Sequence, residues 1–231
     1  MTIEELIEKR KLLLKAHKEN NFSNGIETLL TDLYPDKAHF IFELLQNAED
    51  MNATEVKFTL NNDSLLFEHN GSKRDFNIND IDAITNIGHN IEKKQDKTSI
   101  GKFGVGFKAV FSYTKTPEIH SGQYHFRIKD YFIPEFENVE QLDTIDENGI
   151  AWTKFYFPFD NPKKNTTVAY KEIFLGLNNL TNDSILFLSH ITKIIYSFTD
   201  INKYGYVEKK IDKMENKAKF ISINYKSCFE N

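Results

Sequence analysis

Three polar residues, Glu43, Asn47 and Asp50, follow one another at spacings of four and three in the segment "FELLQNAEDM". On a helix these spacings place the three side chains along one line, because each turn takes 3.6 residues. A carboxylate beside a neutral amide suits metal-assisted phosphoryl chemistry, in which the glutamate activates a water and the amide oxygen binds Mg²⁺. A solvated polar face is the alternative, and the helix taken alone favours it.

A second segment, "SIGKFGVGFKAVFSYT", contains Gly101, Gly104 and Gly106 within six residues. Residues without a Cβ allow backbone N–H groups to approach a phosphate closely, although a tight turn explains the same glycines. The segment lacks the "GKS" or "GKT" ending of a P-loop. Lys102 is a candidate phosphate contact or a solvated lysine, and we expect Lys108 to be solvated. The long polar stretch "NIGHNIEKKQDKTS" before the glycines indicates a functional loop.

The elements that must position these residues change from helices to strands along the chain. Apolar periodicity and capping residues predict the helices, while alternation and turn residues predict the strands. His120 and His125 are expected to straddle a hairpin turn rather than to bind a metal. The predicted class is α+β, with a mixed, mostly antiparallel sheet covered by helices on one face. The helices are predicted over Ile3 to Glu19, in "SNGIETLLTDLY", over Pro35 to Met51, and in "DFNINDIDAIT", "KAVFSYT" and "VAYKEIFLGLNNL". Strands are predicted in "TEVKFTL", "SLLFEHN", "PEIHSGQYHFRI", "AWTKFYFPF", "SILFLSHITKIIYSF", "YGYVEKKI" and "KAKFISINY".

The length fits one globular domain over residues 1–231, or one domain with an appendage. We place the core at about 22–165, with a trailing helix and strands in 166–231. The chain has 231 residues, 40% of them hydrophobic, and a formal charge of −5, so no overall positive charge recruits nucleic acid or an anionic membrane. One cysteine, Cys228, suits a reducing compartment, and the charged start is not a signal peptide. We therefore expect a cytoplasmic protein without membrane contact, forming the N-terminal part of a longer chain.

Together these segments resemble the GHKL ATPase superfamily, which includes gyrase B, the large heat-shock chaperone, histidine kinases and MutL. "ELLQNAED" is similar to its first box, "IGKFGVGFKAVF" to its glycine-rich lid hinge, and "TNIGHN" to the segment that enters the lid. "LLFEHNG" and "YTKTPEIHSGQYHFRIKDYFIP" look more narrowly like the sacsin-type branch. The likeness covers about Pro35 to Phe159 and, more loosely, "SILFLSHI".

The resemblance implies a Bergerat-type α/β sandwich with ATP held between the sheet and a lid, here about Gly88 to Ile100. It implies that Glu43 is the general base, that Asn47 binds Mg²⁺ and that Asp50 lies near the nucleotide. Thr153, in "WTKFYFPF", corresponds to the threonine that supports the adenine-binding carboxylate. The remaining nucleotide-binding residues implied by the matched motifs are Gly71, Ile87, Gly88, Gly101, Lys102, Phe103, Gly104, Val105, Gly106 and Phe107.

One departure concerns the family's "DxGxG" box, whose aspartate accepts a hydrogen bond from the adenine amine. This chain has "EHNGSKRDF" there, with His69 or Asn70 at the aspartate position and one glycine, Gly71. We expect Asn70 to meet the base and His69 to pack. Because a carboxamide both donates and accepts, Asn70 leaves selection between adenine and guanine open.

The leading hypothesis is a Mg²⁺-dependent ATPase module that acts as a conformational switch, with a nucleotide-dependent homodimer or downstream domains as partners. The alternative is a nucleotide sensor that binds without hydrolysis and regulates an attached domain. A histidine kinase is disfavoured, since the N-terminal helix cannot supply a four-helix dimerisation bundle. Nucleic-acid processing in the MutL style lacks a basic surface here.

Overall fold

Nine strands form one mixed, open sheet in the computed structural model, which describes residues 1–19, 39–71, 74–86, 106–180, 182–215 and 218–226. The strand order is β5-β4-β3-β6-β2-β1-β7-β8-β9, and among these described strands β1 and β7 form the one parallel pair. The strands are β1 (Glu55–Leu60), β2 (Ser64–His69), β3 (Glu118–Ser121), β4 (Tyr124–Lys129), β5 (Ile133–Glu135), β6 (Thr153–Pro158), β7 (Lys193–Phe198), β8 (Lys203–Glu215) and β9 (Ala218–Lys226).

Helices pack against one face of this sheet. Burial alternates along β1, β6 and β7, so each strand presents one fully buried row of side chains. Those rows share one apolar cluster with buried residues of the helices, among them Leu44, Ile81 and Ile173. The helices are α1 (Ile3–Glu19), α2 (Phe40–Asp50), α3 (Ile78–Ile84), a 3-10 helix (Phe107–Ser112), α4 (Thr166–Asn178) and α5 (Asn182–Leu186).

The start of α3 shows how local sequence sets an element boundary. The Asn77 side chain accepts a hydrogen bond from the Asn79 amide at 2.8 Å, and the Asp80 carboxylate accepts one from the Asn77 amide at 2.8 Å. This reciprocal capping box satisfies amide groups that the first turn of a helix leaves without partners. The predicted cap and short helix in "DFNINDIDAIT" are confirmed.

Most other predicted elements are confirmed, including α1, the β1–β2 and β3–β4 hairpins and the α+β class with its mixed sheet. His120 and His125 lie opposite each other across the β3–β4 hairpin, as expected. The prediction of a strand through "SILFL" was wrong, because Asn182–Leu186 forms α5 and β7 begins at Lys193. A short apolar run does not distinguish helix from strand.

The segment predicted as an α-helix in "KAVFSYT" is instead the 3-10 helix, whose bonds include Tyr113 N to Val110 O at 2.8 Å. The predicted helix in "SNGIETLLTDLY", the start of the helix at Pro35 and the lid of about Gly88 to Ile100 lie outside the described residues. No helix in the described ranges is both long and apolar enough to cross a lipid bilayer.

A buried carboxylate, Glu49, fastens the end of α2 to the chain before β7. Its oxygens accept hydrogen bonds from the amides of Ser189 at 2.6 Å, His190 at 2.7 Å and Ile191 at 3.0 Å. Burial raises the pKa of the Glu49 carboxyl, but these amide donors and the His190 ring together hold it below its usual 4.5. The ionised form is therefore the one that the fold stabilises.

We expect Glu49→Gln to lower the free energy of unfolding by about 1–3 kcal/mol at pH 7, because the variant lacks the charged acceptor. Since the folded-state pKa lies below the unfolded one, this stability is present above pH 4.5 and is lost as the pH falls through the folded value. Urea denaturation from pH 7 to pH 3 measures it, with the exposed Glu147→Gln as the control. A gap between wild type and Glu49→Gln that stays constant with pH would contradict this account.

Candidate functional site

Helix α2 is amphipathic, with one apolar face that packs in the core and one polar face. Phe40, Leu44 and Ala48 are at most 2% exposed, whereas Glu43 and Asn47 are half-buried. Oε1 of Glu43 lies 3.5 Å from Nε2 of His39, one turn earlier. Within the described residues the Asn47 carboxamide makes no hydrogen bond, so its oxygen remains available to a ligand.

Gly106 lies directly against the Glu43 side chain. A methyl group at Gly106 would overlap Oε2 of Glu43 and stand 2.5 Å from its Cδ. The backbone of Gly106 is right-handed helical, with φ −62° and ψ −45°, so a side chain there would meet no strain in the backbone but would displace the carboxylate end of the Glu43 side chain. The chain leaving the glycine-rich stretch therefore meets the first polar residue of α2 as bare backbone.

A second glycine, Gly71, lies against the other end of α2. A methyl there would stand 2.7 Å from Cβ of Met51 and 2.9 Å from Nδ1 of His69. Glu43 and Met51 are eight residues apart, which corresponds to about 12 Å along the helix. The polar face of α2 thus extends from the contact with Gly106 to the contact with Gly71, and at both contacts the approaching residue has no side chain.

The sheet beneath the Gly71 end carries a chain of buried polar groups. His69 on β2 is paired with Thr153 on β6, and both are at most 6% exposed. The Thr153 hydroxyl lies 2.8 Å from the Ser121 hydroxyl, which accepts a hydrogen bond from the Phe76 amide at 3.1 Å. On the same face of β2 and β6, the buried positions further along the strands are Phe and Leu rather than polar residues.

Asn70 has a structural role that the sequence did not indicate. Its Oδ1 accepts hydrogen bonds from the amides of Thr54 at 2.9 Å and Glu55 at 2.8 Å, and its Nδ2 donates to the Thr54 hydroxyl at 3.0 Å. The carboxamide therefore joins the end of β2 to the start of β1. Its contact with a base stays a prediction, with the acceptor oxygen already bonded twice.

The structure brings part of the predicted site together. Glu43 and Gly106 lie in contact, Gly71 closes on the end of α2, and Thr153 belongs to the polar groups beneath it. The Phe107 side chain is 2% exposed and packs on Phe155 and Phe157, so only its backbone is left to meet a ligand. Seven predicted residues lie outside the described ranges: Ile87, Gly88, Gly101, Lys102, Phe103, Gly104 and Val105.

The expectation that Lys108 is solvated was wrong. The side chain is 2% exposed, and Nζ donates hydrogen bonds of 2.7 Å to the carbonyl oxygens of Ile84 and Tyr131. Burial, assisted by the charge of Arg10, lowers the pKa of the Lys108 ammonium to about 7. Arg10 is also buried and donates hydrogen bonds to the Asp82 carboxylate and carbonyl oxygen. The side chains of Lys108 and Arg10 therefore both bind the C-terminal end of α3.

Among the described residues no group of three or more His, Cys, Asp or Glu side chains could hold a metal ion. Mg²⁺ needs few protein ligands, because waters and phosphate oxygens complete its octahedron. Asn47, with an unengaged amide oxygen beside Glu43, fits the single-ligand role that the resemblance implies.

Comparison with known proteins finds that part of the chain is similar to sacsin-type proteins. The family model described as "Sacsin domain" matches residues 66–153, which include His69, the glycine-rich stretch and Thr153 but not α2. Protein NO VEIN of Arabidopsis thaliana is 34% identical over 121 residues, which are 50% of this chain and 4% of that protein. Sacsin of Homo sapiens is 33% identical over 106 residues, which are 38% of this chain and 2% of that protein.

These relatives are far longer than this chain, which spans a few per cent of their length. The predicted sacsin-type likeness is confirmed over the matched segment. Membership of the wider GHKL ATPase superfamily stays a prediction.

Replacing Gly106 tests the contact with Glu43. We expect Gly106→Ala to destabilise the fold by about 0.5–1.5 kcal/mol, because the added methyl forces the Glu43 carboxylate out of its present position while the backbone angles suit alanine. In a Glu43→Ala background the same change should cost far less. Urea denaturation of the two single variants and the double variant measures the coupling, and strictly additive losses would rule the contact out.

The lowered pKa of Lys108 should make the free energy of unfolding depend on pH. Its folded pKa of about 7 lies below the unfolded 10.5, so the unfolded chain binds more protons between these values and stability rises with pH. The slope from this one group is about 1.4 kcal/mol per pH unit at most. We expect Lys108→Met to lose that slope in denaturation curves between pH 7 and 10, and an unchanged slope would contradict the assignment.

Proposed function

We propose that this chain is a sacsin-like module that binds ATP with Mg²⁺ along the polar face of α2 and hydrolyses it. The observation that carries the proposal is the contact between Glu43 and the bare backbone of Gly106. Two segments about 60 residues apart in the sequence, each suited to phosphate chemistry, meet at one point. The missing methyl at Gly106 leaves room for the Glu43 carboxylate against this backbone.

Each residue has a distinct part in this proposal. Glu43 holds the attacking water and accepts its proton, with His39 beside Oε1. The oxygen of Asn47 is the protein ligand for Mg²⁺, which when bound neutralises charge on the phosphate oxygens. In this proposal the contact of Gly106 with Glu43 brings the water held by Glu43 close to the phosphate that the glycine-rich stretch would bind.

The module is proposed to act as a switch within a longer protein. Support comes from the matched relatives, in which the similar segment is a small part of a very long chain. Binding of ATP would alter contacts with downstream domains or with a second copy. Cytoplasmic location and a nucleotide-dependent homodimer belong to the same proposal.

Hydrolysis tests the role of Glu43. We expect Glu43→Gln, which keeps the shape against Gly106 but cannot take a proton, to lower ATP turnover at least about a hundredfold while ATP binding persists. Phosphate release and calorimetry are measured on the same preparations. Glu147→Gln is the matched control, because it is the same substitution at an exposed position outside the proposed site.

Three results would change the proposal. Equal turnover by wild type and Glu43→Gln removes Glu43 as the base. Tight binding of ATP by the wild type without phosphate release favours the nucleotide sensor over the hydrolase. Absence of binding to ATP, with Mg²⁺ present, removes the nucleotide site altogether.

A further inference from the structure

Lys108 joins three segments that lie far apart in the sequence. Its side chain is 2% exposed, and Nζ donates hydrogen bonds of 2.7 Å to the carbonyl oxygens of Ile84, the last residue of α3, and Tyr131, in the turn between β4 and β5. These acceptors are 24 and 23 residues away along the chain. A buried polar group without hydrogen bonds is costly, so the two carbonyl groups hold the Lys108 side chain in one place.

The acceptor at the end of α3 is itself supported. Arg10 of α1, also 2% exposed, donates hydrogen bonds to the carbonyl oxygen of Asp82 at 2.9 Å and to its carboxylate at 2.7 Å. The Thr85 hydroxyl donates to the carbonyl oxygen of Ile81 at 2.6 Å. The last turn of a helix leaves carbonyl groups without partners, and here side chains from α1 and the 3-10 helix bind them. The end of α3 is therefore a fixed point for Lys108.

The acceptor in the turn between β4 and β5 is held against its own backbone preference. Asp130 and Tyr131 have φ angles of 48° and 71°, in the left-handed region that a bulky side chain rarely adopts. Such a backbone persists where the surrounding contacts determine it. The contacts here include the bond from Lys108 and the packing of the Tyr131 ring on Phe111 at a centroid distance of 5.0 Å. Lys108 thus bonds two acceptors whose positions the fold sets.

The turn that begins at Gly106 contains Lys108. The Ala109 amide donates a hydrogen bond to the Gly106 carbonyl oxygen at 3.1 Å, which makes Gly106 to Ala109 the first turn of the 3-10 helix. Buried Phe107 and Ala109 anchor this turn in the core, but apolar contacts are not directional. The hydrogen bonds of Lys108 are directional, so they fix the orientation of the turn and with it the place where Gly106 meets Glu43.

We propose that Lys108 is a positioning residue of the proposed ATPase site, whose two hydrogen bonds keep the backbone of Gly106 against the Glu43 carboxylate. The inference rests on the proposed function and adds the residue that fixes the geometry of its base. Lys108 is buried and its ammonium is bonded to carbonyl oxygens, so it acts through this turn and not on the nucleotide. Through Arg10 and α3, helix α1 belongs to the same support.

Matched substitutions at two buried lysines test this role. Lys108→Met keeps the unbranched chain but removes the donors. Lys209→Met is the control, because Lys209 is 7% exposed and also donates to two carbonyl oxygens, those of Ile185 and Leu188, beside α5. Lys108→Gln keeps a neutral donor but is one bond too short to reach both acceptors, so it covers the case in which Lys108→Met does not fold.

Amide hydrogen exchange tests the position of the turn without any nucleotide. We expect the Ala109 amide to exchange at least about tenfold faster in Lys108→Met than in the wild type, after correction for the overall stability measured by urea denaturation. Lys108→Gln should show a smaller increase at the same amide, and Lys209→Met none. Unchanged exchange of Ala109 in every Lys108 variant that folds, or the same increase in Lys209→Met, overturns the inference.

Kinetics then test the consequence for hydrolysis. We expect the Lys108 variants to lower kcat, at least about tenfold in Lys108→Met, while calorimetry shows ATP affinity within about threefold of the wild type, because a misplaced base costs most in the transition state. Lys209→Met should keep the wild-type kcat. Equal kcat in the variants at the two lysines, or a parallel loss of ATP binding, overturns the inference. If the wild type releases no phosphate, the proposed hydrolysis fails instead, and the Ala109 exchange alone decides whether Lys108 holds the turn.

Discussion

The approach of Gly106 to Glu43 is the constraint on which the candidate site depends. A methyl at Gly106 would overlap the carboxylate in its present position, so the glycine lets the chain after the glycine-rich stretch pass α2 without displacing the Glu43 side chain. The core enforces that approach from behind, because Phe107 and Val110 of the 3-10 helix are buried in the same cluster as Leu44 and Ala48. Packing of apolar side chains and the absence of a methyl at Gly106 thus bring the glycine-rich segment into contact with the polar face of α2.

Elements whose signal is local were predictable from the sequence. The alternation in "TEVKFTL" and "SLLFEHN", the cap at Asn77 and the spacing of Glu43, Asn47 and Asp50 each depend on residues a few positions apart. The run "SILFL" was not predictable, because its length suits either helix or strand. The helix that this run forms is contacted by β8, where Lys209 donates hydrogen bonds to the carbonyl oxygens of Ile185 and Leu188. Those contacts are distant in the sequence and could not be read from the run itself.

Buried polar residues were the least predictable part of the site. Lys108 was expected to be solvated, Asn70 was expected to meet a base and Glu49 had no predicted role. Each of them bonds backbone groups, in the case of Glu49 at residues 189–191. Backbone amides and carbonyls are the same for every residue type, so a sequence carries no sign of which ones a side chain will meet. His69, by contrast, was expected to pack, and its buried ring lies near the rings of Phe67 and Phe155.

The anchoring of Glu49 has a consequence for the thermodynamics of ligand capture. Its carboxylate joins the last turn of α2 to the segment before β7 through three amides, so the backbone that carries Glu43 and Asn47 is held in place by the fold itself. If the proposed site takes a ligand, little association free energy would be needed to order this helix. Motion coupled to such binding would then arise in other parts of the molecule.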